Sequence, residues 1–223
     1  MKDPKCVVIF GATADTGYRL ADRLVKSGHA VIGVDWIGSH SKPLVKLGAR
    51  FIGADVTNPA EVDVALADLP TSNTTVVAYL GGSPAVNSQG NINVINAAQS
   101  AGVSRFVLIT SIGCGDSRGA IDPFTEAFIG KALRAKTWAE KHLRSSGLDW
   151  TIVRPGGPMV RRPTGKGELF ETPHVTGHIN RVDLGDVVFN LLRSGGTVGK
   201  TLAAIDREKA MSTTADPVTP AVI

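Results

Sequence analysis

The sequence predicts an α/β protein, a single domain built on one doubly wound parallel sheet. The chain has 223 residues, a length that one α/β domain can fill without splitting. Short apolar runs rich in β-branched residues alternate with amphipathic segments of roughly ten to fifteen residues. A glycine-rich loop follows the first apolar run. Together these features are typical of parallel strands joined by right-handed helical crossovers.

The first half of the chain predicts four strands separated by helical segments. The strands are expected at Cys6–Phe10, residues 30–34, Arg50–Gly53 and residues 75–80. Apolar positions at helical spacing predict helices over residues 16–27 and 58–69, with a short helix or turn at residues 42–47. Asn58-Pro59 is a residue pair that commonly starts a helix.

The second half continues the alternation and then loses it. Further strands are predicted at residues 105–110, 150–153 and 201–205, and helices at residues 91–101, 124–146 and 182–192. We expect the strand order 3-2-1-4-5-6-7 in one sheet, with residues 1–206 as the domain. Residues 207–223 are rich in Thr, Pro and Ala without periodicity, which predicts an irregular C-terminal tail.

Composition and charge argue against several other classes of protein. The 24 basic and 20 acidic side chains leave a net charge of +4 without a basic run, so we expect no nucleic-acid partner. The two cysteines show no zinc-ligand spacing, so no metal site is expected. Such a small number of cysteines also fits a reducing compartment. No apolar stretch reaches about 18 residues, and the first ten residues lack a signal-peptide pattern, which predicts a cytoplasmic protein without membrane association.

A glycine-rich loop, Gly-Ala-Thr-Ala-Asp-Thr-Gly at residues 11–17, joins the first strand to the first helix. Gly11 permits the tight turn, and Gly17 permits close packing of the helix on the strand. The free N–H groups and positive dipole of the helix N-terminus would face the phosphates of a nucleotide. This context predicts a Rossmann-type dinucleotide site whose loop residues are Gly11, Thr13, Ala14, Asp15, Thr16 and Gly17. The alternative is a structural turn without a cofactor.

Asp35, at the end of the second strand, indicates which dinucleotide this site prefers. A carboxylate there accepts hydrogen bonds from the adenosine ribose hydroxyls and repels a 2′-phosphate. Asp15 adds negative charge to the same region, and no arginine stands at the strand end. We therefore expect NAD in preference to NADP, unless Lys42 folds back to meet a 2′-phosphate. The alternative is that Asp35 is a solvated carboxylate without a ligand.

Residues after the next strands complete the predicted cofactor groove. Trp36 follows Asp35, and Asp55-Val56 follow the third strand, near where the adenine lies in such sheets. Asp55 either accepts from the adenine amino group or caps the turn into Asn58-Pro59, and the sequence leaves both open. Leu80-Gly81-Gly82 end the fourth strand, and the glycines would let the backbone approach the cofactor.

Five segments together resemble the atypical short-chain dehydrogenase/reductase family, in its NmrA-like and biliverdin-reductase-B-like branch. They are GATADTG at 11–17, GADVTNP at 53–59, NVINAAQSAGVSRFVLITSIG at 93–113, KTWAEKHLRSSGLDWTIVRPGG at 136–157 and VGKTLAAID at 198–206. The resemblance implies a Rossmann fold, a nicotinamide cofactor and often a small reductase activity. It also implies that Ser111 and Lys136 line the nicotinamide site as catalytic residues. Arg154-Pro155-Gly156 would shape the nicotinamide end.

The chain departs from the family pattern at two positions that matter for chemistry. The usual central glycine of the phosphate loop is Ala14. The Tyr-x-x-x-Lys pair of active dehydrogenases has Ala132 in the place of tyrosine, four residues before Lys136. The atypical branch commonly lacks this tyrosine, whose phenol is the obvious general acid. The absence favours substrates whose reduced form is a stabilised anion, such as quinones, flavins or bilins.

Residues 157–180 are expected to form a small substrate lid after the sixth strand, because ligands lie at the carboxyl ends of the strands in such sheets. The substrate residues predicted here and after strand five are Ile112, Gly113, Arg161, Phe170 and His178. The favoured function is an NAD(P)-dependent oxidoreductase of a small conjugated substrate. The alternatives are a non-catalytic dinucleotide sensor and a cofactor-retaining isomerase or epimerase. A monomer and a homodimer are both compatible with the sequence.

Overall fold

The computed structural model describes residues 4–67, 69–70, 73–103, 105–160 and 162–222. The elements follow one another along the chain as β1 (Cys6–Phe10), α1 (Asp15–Lys26), β2 (Ala30–Asp35), α2 (Lys42–Lys46), β3 (Arg50–Gly53), α3 (Pro59–Leu66), β4 (Thr74–Ala78), α4 (Asn91–Ser100), β5 (Arg105–Ile109), α5 (Pro123–Arg144), β6 (Asp149–Pro155), β7 (Gly157–Met159), β8 (Gly167–Phe170), β9 (Val175–Thr176), β10 (His178–Asn180), α6 (Arg181–Leu192), β11 (Lys200–Asp206) and β12 (Met211–Ser212).

The main sheet has the order β3-β2-β1-β4-β5-β6-β11-β8. Its first seven strands pair in parallel, so the predicted Rossmann-type sheet and strand order are confirmed. The eighth strand, β8, pairs antiparallel with β11 and was not expected. The carboxyl ends of the parallel strands therefore meet along one edge, which is where the predicted ligand residues lie.

Two layers of helices cover the sheet because its central strands are apolar on both faces. Along β1, Val8 and Phe10 face the layer that contains α3, α4 and α5. Val7 and Ile9 face the layer that contains α1 and α6. Burial of a side chain of this size contributes roughly 1.5–3 kcal/mol, so the continuous apolar strands stabilise both layers at once.

The helix starts are fixed by side-chain caps where the sequence predicted one. The Asn58 side chain accepts a hydrogen bond from Ala60 N at the start of α3, as expected from Asn58-Pro59. Asp122 and Asn180 cap α5 and α6 in the same way. One turn of π-helix over Val86–Gly90, which the periodicity did not predict, leads into α4.

The predicted lid contains four short strands, and the predicted tail contains one. Within residues 157–180, β7 pairs with β10, β8 joins the main sheet and β9 pairs with β12. The expectation of an irregular tail was wrong for β12, which lies in it, and Ala221 N also donates to Leu169 O. The tail thus packs on the lid of its own chain. In the described ranges, none of the helices is long and apolar enough to cross a membrane.

Candidate functional site

The glycines of the phosphate loop stand where backbone geometry demands them. Gly11 leaves β1 with φ +79°, and a Cβ there would meet the Tyr79 carbonyl oxygen at 3.0 Å. A Cβ at Gly17 would overlap the Gly11 carbonyl oxygen. Any side chain at either position would push the loop away from β1, so both glycines hold the tight strand-to-helix turn that a dinucleotide site requires.

The N-terminus of α1 fits a phosphate group. Its cap residue, Ala14, has no side chain that could accept a hydrogen bond from the first-turn N–H groups. A helix of 12 residues also presents the positive end of its dipole there. Asp15 does not add the negative charge that we expected beside the cofactor, because its carboxylate forms an ion pair with Arg181 Nη1 at 2.7 Å.

Asp35 is tied to the phosphate loop. Its Oδ2 accepts from Thr13 N at 3.0 Å and from Thr13 Oγ1 at 2.6 Å, while Oδ1 accepts from Trp36 N at 2.9 Å. These bonds fix the carboxylate at the edge of the loop, where the adenosine ribose of a dinucleotide would lie. Asp35 is therefore an oriented acceptor rather than a freely solvated carboxylate.

A groove of about 440 Å³ runs along the carboxyl ends of β1 to β4. Trp36, 57% exposed, forms one wall, and a Cβ on Gly81 would project into open space. Eight of the predicted cofactor residues meet there: Gly11, Ala14, Asp35, Trp36, Asp55, Val56, Leu80 and Gly81. This open cradle and the uncapped helix N-terminus fit a dinucleotide.

Asp55 and Tyr79 play different parts in this groove. Asp55 Oδ1 accepts from Thr57 Oγ1 at 2.7 Å and from Thr57 N at 2.8 Å, and these bonds lower its pKa. The capping alternative for Asp55 is thus realised, at a place that also faces the groove.

Tyr79 also lines the groove, and the sequence analysis missed it because it was assigned to a strand. Burial raises the pKa of Tyr79 far above its ordinary value, so its phenol gives up a proton less readily than an exposed tyrosine.

A second cleft, of about 550 Å³, opens at the carboxyl ends of β5 and β6. We call it the substrate cleft. Five predicted residues line it: Ser111, Ile112, Pro155, Gly156 and His178. Residues from the 3₁₀ turn at Gly115–Ala120, from the start of α5 and from the tail complete its walls. The sequence predicted only an irregular tail with no contact to the site, so the contribution of Met211 and Thr213 was missed.

Ser111 and Lys136 are engaged with different groups. Ser111 Oγ donates to the Ile112 carbonyl oxygen at 3.0 Å on the wall of the substrate cleft. Lys136 Nζ donates to the Leu80 carbonyl oxygen at 2.8 Å, at the end of the cofactor groove, and burial lowers its pKa. Ala132 lies one turn before Lys136 on the same face of α5, so the tyrosine position carries only a methyl group.

Two predicted substrate residues do not line the cleft, and a third lies outside the described residues. Phe170 is 2% exposed and packs in a core cluster with Val175 and Ile205, so that prediction was wrong. Gly113 is buried, and a Cβ there would meet Leu133 Cδ1 at 2.8 Å, so it shapes the turn behind the cleft instead. Arg161 lies outside the described residues.

A buried ion pair behind the substrate cleft was also missed. Arg154 Nε and Nη2 donate to the two oxygens of Glu140, at 3.0 Å and 2.6 Å, and Thr110 Oγ1 donates to Glu140 Oε1 at 2.7 Å. Asp116 forms an ion pair with the remaining Arg154 nitrogen. The sequence segment 136–157 contains both charged residues, but only the three-dimensional structure shows that Glu140 and Arg154 form an ion pair that holds α5 against β6.

The comparisons with known proteins agree with this geometry. The profile of a family described as NAD(P)H-binding matches residues 11–194. An uncharacterised chloroplast protein of Arabidopsis thaliana is 31% identical over 92% of this chain and 78% of its own length. ChuY, an anaerobillin reductase from Escherichia coli O157:H7, is 27% identical over 91% of this chain and 98% of its own, with a TM-score of 0.83. A Bacillus halodurans protein described as an NAD-dependent epimerase/dehydratase is 26% identical over 91% and 94%, with a TM-score of 0.78. The predicted resemblance to NAD(P)-binding Rossmann proteins with a bilin-reductase relative is confirmed.

Proposed function

Because the chain belongs to the NAD(P)H-binding family, we propose that it is an oxidoreductase that uses a nicotinamide dinucleotide to reduce a small conjugated substrate. The observation that carries the proposal is the placement of two cavities on one sheet edge. The cofactor groove follows β1 to β4, and the substrate cleft follows β5 and β6. In open α/β sheets this edge is where ligands bind.

Each end of the site has residues suited to one part of the cofactor. The N-terminus of α1 would hold the pyrophosphate, and Asp35 would accept from the adenosine ribose. Lys136 and Pro155-Gly156 would border the nicotinamide, which supplies the hydride when bound. The protein contributes orientation and exclusion of water rather than covalent chemistry.

The walls of the substrate cleft favour a flat, conjugated acceptor. Ile112, Ile121 and Ile129 line it, and the backbone of Gly156 and Gly157 forms part of its surface. Ala132 removes the phenol that simple ketone reduction would use, so acceptors that stabilise negative charge after hydride addition fit best. The similarity to a protein described as an anaerobillin reductase supports the same class of substrate.

NAD is the proposed cofactor in preference to NADP. The Asp35 carboxylate is held at the ribose end by two bonds from Thr13. A 2′-phosphate there would meet a fixed negative charge that has no cation bonded to it among the described residues.

A cofactor-retaining epimerase is the second candidate. The similarity to the Bacillus halodurans protein favours it, since that protein is described as an epimerase/dehydratase. The two activities differ in stoichiometry, because a reductase consumes one reduced cofactor per product and an epimerase consumes none. A sensor without catalysis is less favoured, since it has no use for a cleft of about 550 Å³.

Calorimetric titration with NAD, NADH, NADP and NADPH tests the proposal, followed by assays with menadione, riboflavin and biliverdin. The variant Gly81→Val should abolish binding, because a Cβ there meets no other atom of the protein within 4 Å and the side chain would extend into the groove. Ala127→Leu, at an exposed position of α5 outside both cavities, is the matched control. Binding of NADH with stoichiometric consumption supports the reductase. Absence of dinucleotide binding by the wild-type protein would refute it.

A further inference from the structure

The substrate cleft contains two side chains that can exchange a proton near neutral or acidic pH. Its lining is otherwise aliphatic, backbone or hydroxyl-bearing. Within the residues that the structure describes there, the two titratable side chains are Asp122 and His178. Neither Tyr79 nor Lys136 belongs to this lining. Asp122 and His178 are therefore the two candidates for the proton donor of a reduction in this cleft.

Asp122 is already committed to the start of α5. Its Oδ1 accepts from Thr125 N at 3.0 Å, and its Oδ2 accepts from Thr125 Oγ1 at 2.6 Å. These hydrogen bonds lower the pKa of the carboxyl, so the group stays ionised at neutral pH. An ionised carboxylate has no proton to give, but its negative charge favours a cationic group in the same cleft.

The imidazole ring of His178 packs against Gly157, which has no side chain to occupy that space. His178 begins β10 and pairs in register with Gly157 of β7. A Cβ at position 157 would lie 2.7 Å from His178 Nδ1 and 3.3 Å from Cε1, so the imidazole occupies the space that a side chain would take. The side chain is exposed to solvent at the cleft, so it can regain a proton after each turnover.

Three charged side chains on the helix and strand that pack against β10 have partners of their own. On α6, Arg181 pairs with Asp15, and Asp183 accepts from Thr164. On β11, Asp206 also accepts from Thr164 Oγ1. The residues of β7, β9 and β12 that share the cleft lining are uncharged. Asp122 is thus the one carboxylate among the described residues that line the cleft together with His178.

We propose that His178 is the general acid of the reduction, a catalytic role that rests on the proposed reductase function. The conjugated acceptor gains a hydride from the reduced dinucleotide and a proton from the His178 imidazolium. Two electrons leave the dinucleotide, which becomes oxidised, and the neutral imidazole regains a proton from solvent. The step requires the histidine in its protonated form, which places a cation in the same cleft as Asp122.

The variant His178→Gln tests the role, with His174→Gln as the matched control on the same lid. The His174 backbone bonds to Thr172 and Thr213, and its side chain does not line the cleft. General acid catalysis contributes about 10²–10⁴-fold, so kcat of His178→Gln should fall by about 100-fold or more. The control should keep wild-type kcat. The affinity of both variants for NADH, measured by calorimetry, should match the wild type.

The pH profile of kcat and NMR spectra distinguish a catalytic role of His178 from a merely structural one. Wild-type kcat should fall as pH rises, because the general acid must carry its proton, and His178→Gln should lose that limb of the profile. The His178 ring signals should shift when menadione is added to the NAD complex, and those of His174 should not. Gly157→Ala should reduce kcat while retaining the histidine, because the new methyl group displaces the ring.

The outcomes separate the two proposals. An active wild-type enzyme whose His178→Gln variant keeps kcat and the same pH profile would overturn the role of His178 and leave the reductase intact. A wild-type protein that binds no dinucleotide, or reduces none of the acceptors, would overturn both.

Discussion

Asp35 and Thr13 are the residues on which the proposed preference for NAD depends. The strand-end carboxylate is usually discussed as a partner of the ribose, but here both hydrogen-bond donors of Thr13 also hold it. The phosphate loop and the end of β2 are therefore joined before any ligand arrives. A preformed acceptor of this kind favours one dinucleotide through charge as well as through hydrogen bonding.

Replacing Asp35 with serine should reduce the preference for NADH over NADPH. The change removes one negative charge beside the expected 2′-phosphate position while keeping a hydroxyl acceptor. Charges about 4 Å apart interact with about 1 kcal/mol in water and about 4 kcal/mol near a protein surface, so the ratio of the two dissociation constants should shift at least about fivefold. Calorimetry measures both constants. Asp63→Ser, an exposed position on α3, is the control, and an unchanged ratio in Asp35→Ser would contradict the prediction.

The parts of the site that sequence could predict are those encoded within a few consecutive residues. Gly11, Gly17 and Asp35 lie in one strand–loop–helix–strand segment, so local spacing was enough to place them. Glu140 and Arg154 are brought together by the packing of α5 on β6, and Met211 reaches the cleft through a strand pair. Such contacts depend on tertiary structure, which a local pattern does not contain.

Helices and strands were likewise predictable where local sequence encodes them and were missed where they depend on tertiary structure. The parallel strands read correctly because they are buried on both faces and therefore continuously apolar. β8 has only four residues and exists through its antiparallel pairing with β11. That pairing carries Phe170 into the core. Phe170, which we expected in the substrate lid, is therefore not available to contact a substrate. The short pair β7 and β10 positions His178, and strands of three residues leave no periodic signal in the sequence.

Glu140→Gln should destabilise the contact between α5 and β6 more than any exposed charge change. It leaves the buried Arg154 guanidinium partly uncompensated, and breaking a buried pair typically costs about 3–5 kcal/mol. Glu126→Gln, which breaks the exposed pair with Arg118, should cost less than about 1 kcal/mol. Urea denaturation of both variants measures the free energy of unfolding. Equal losses in the two would show that the buried pair has no special weight.

At the scale of the whole molecule, the two cavities share a rigid platform but differ in how their walls are built. The cofactor groove is made by loops that leave β1 to β4, each anchored in the buried sheet. The substrate cleft is closed partly by the lid and by the tail, through β9 and β12. Such an arrangement lets cofactor binding and substrate specificity vary separately, since different segments carry them.

Binding of the preferred dinucleotide should raise the thermal stability of the whole chain. A ligand that binds only the folded state at 100 times its dissociation constant adds about 2.7 kcal/mol. For a protein of this length, each kcal/mol raises Tm by about 2–4 °C, so a rise of roughly 5–10 °C is expected with NADH. NADPH at the same concentration should give a smaller rise in the wild type and an equal or larger one in Asp35→Ser. Gly81→Val should show no rise with either cofactor, since its groove is filled. A rise in Gly81→Val equal to that of the wild type would mean that the stabilising ligand binds elsewhere, and the groove along β1 to β4 would lose its assignment.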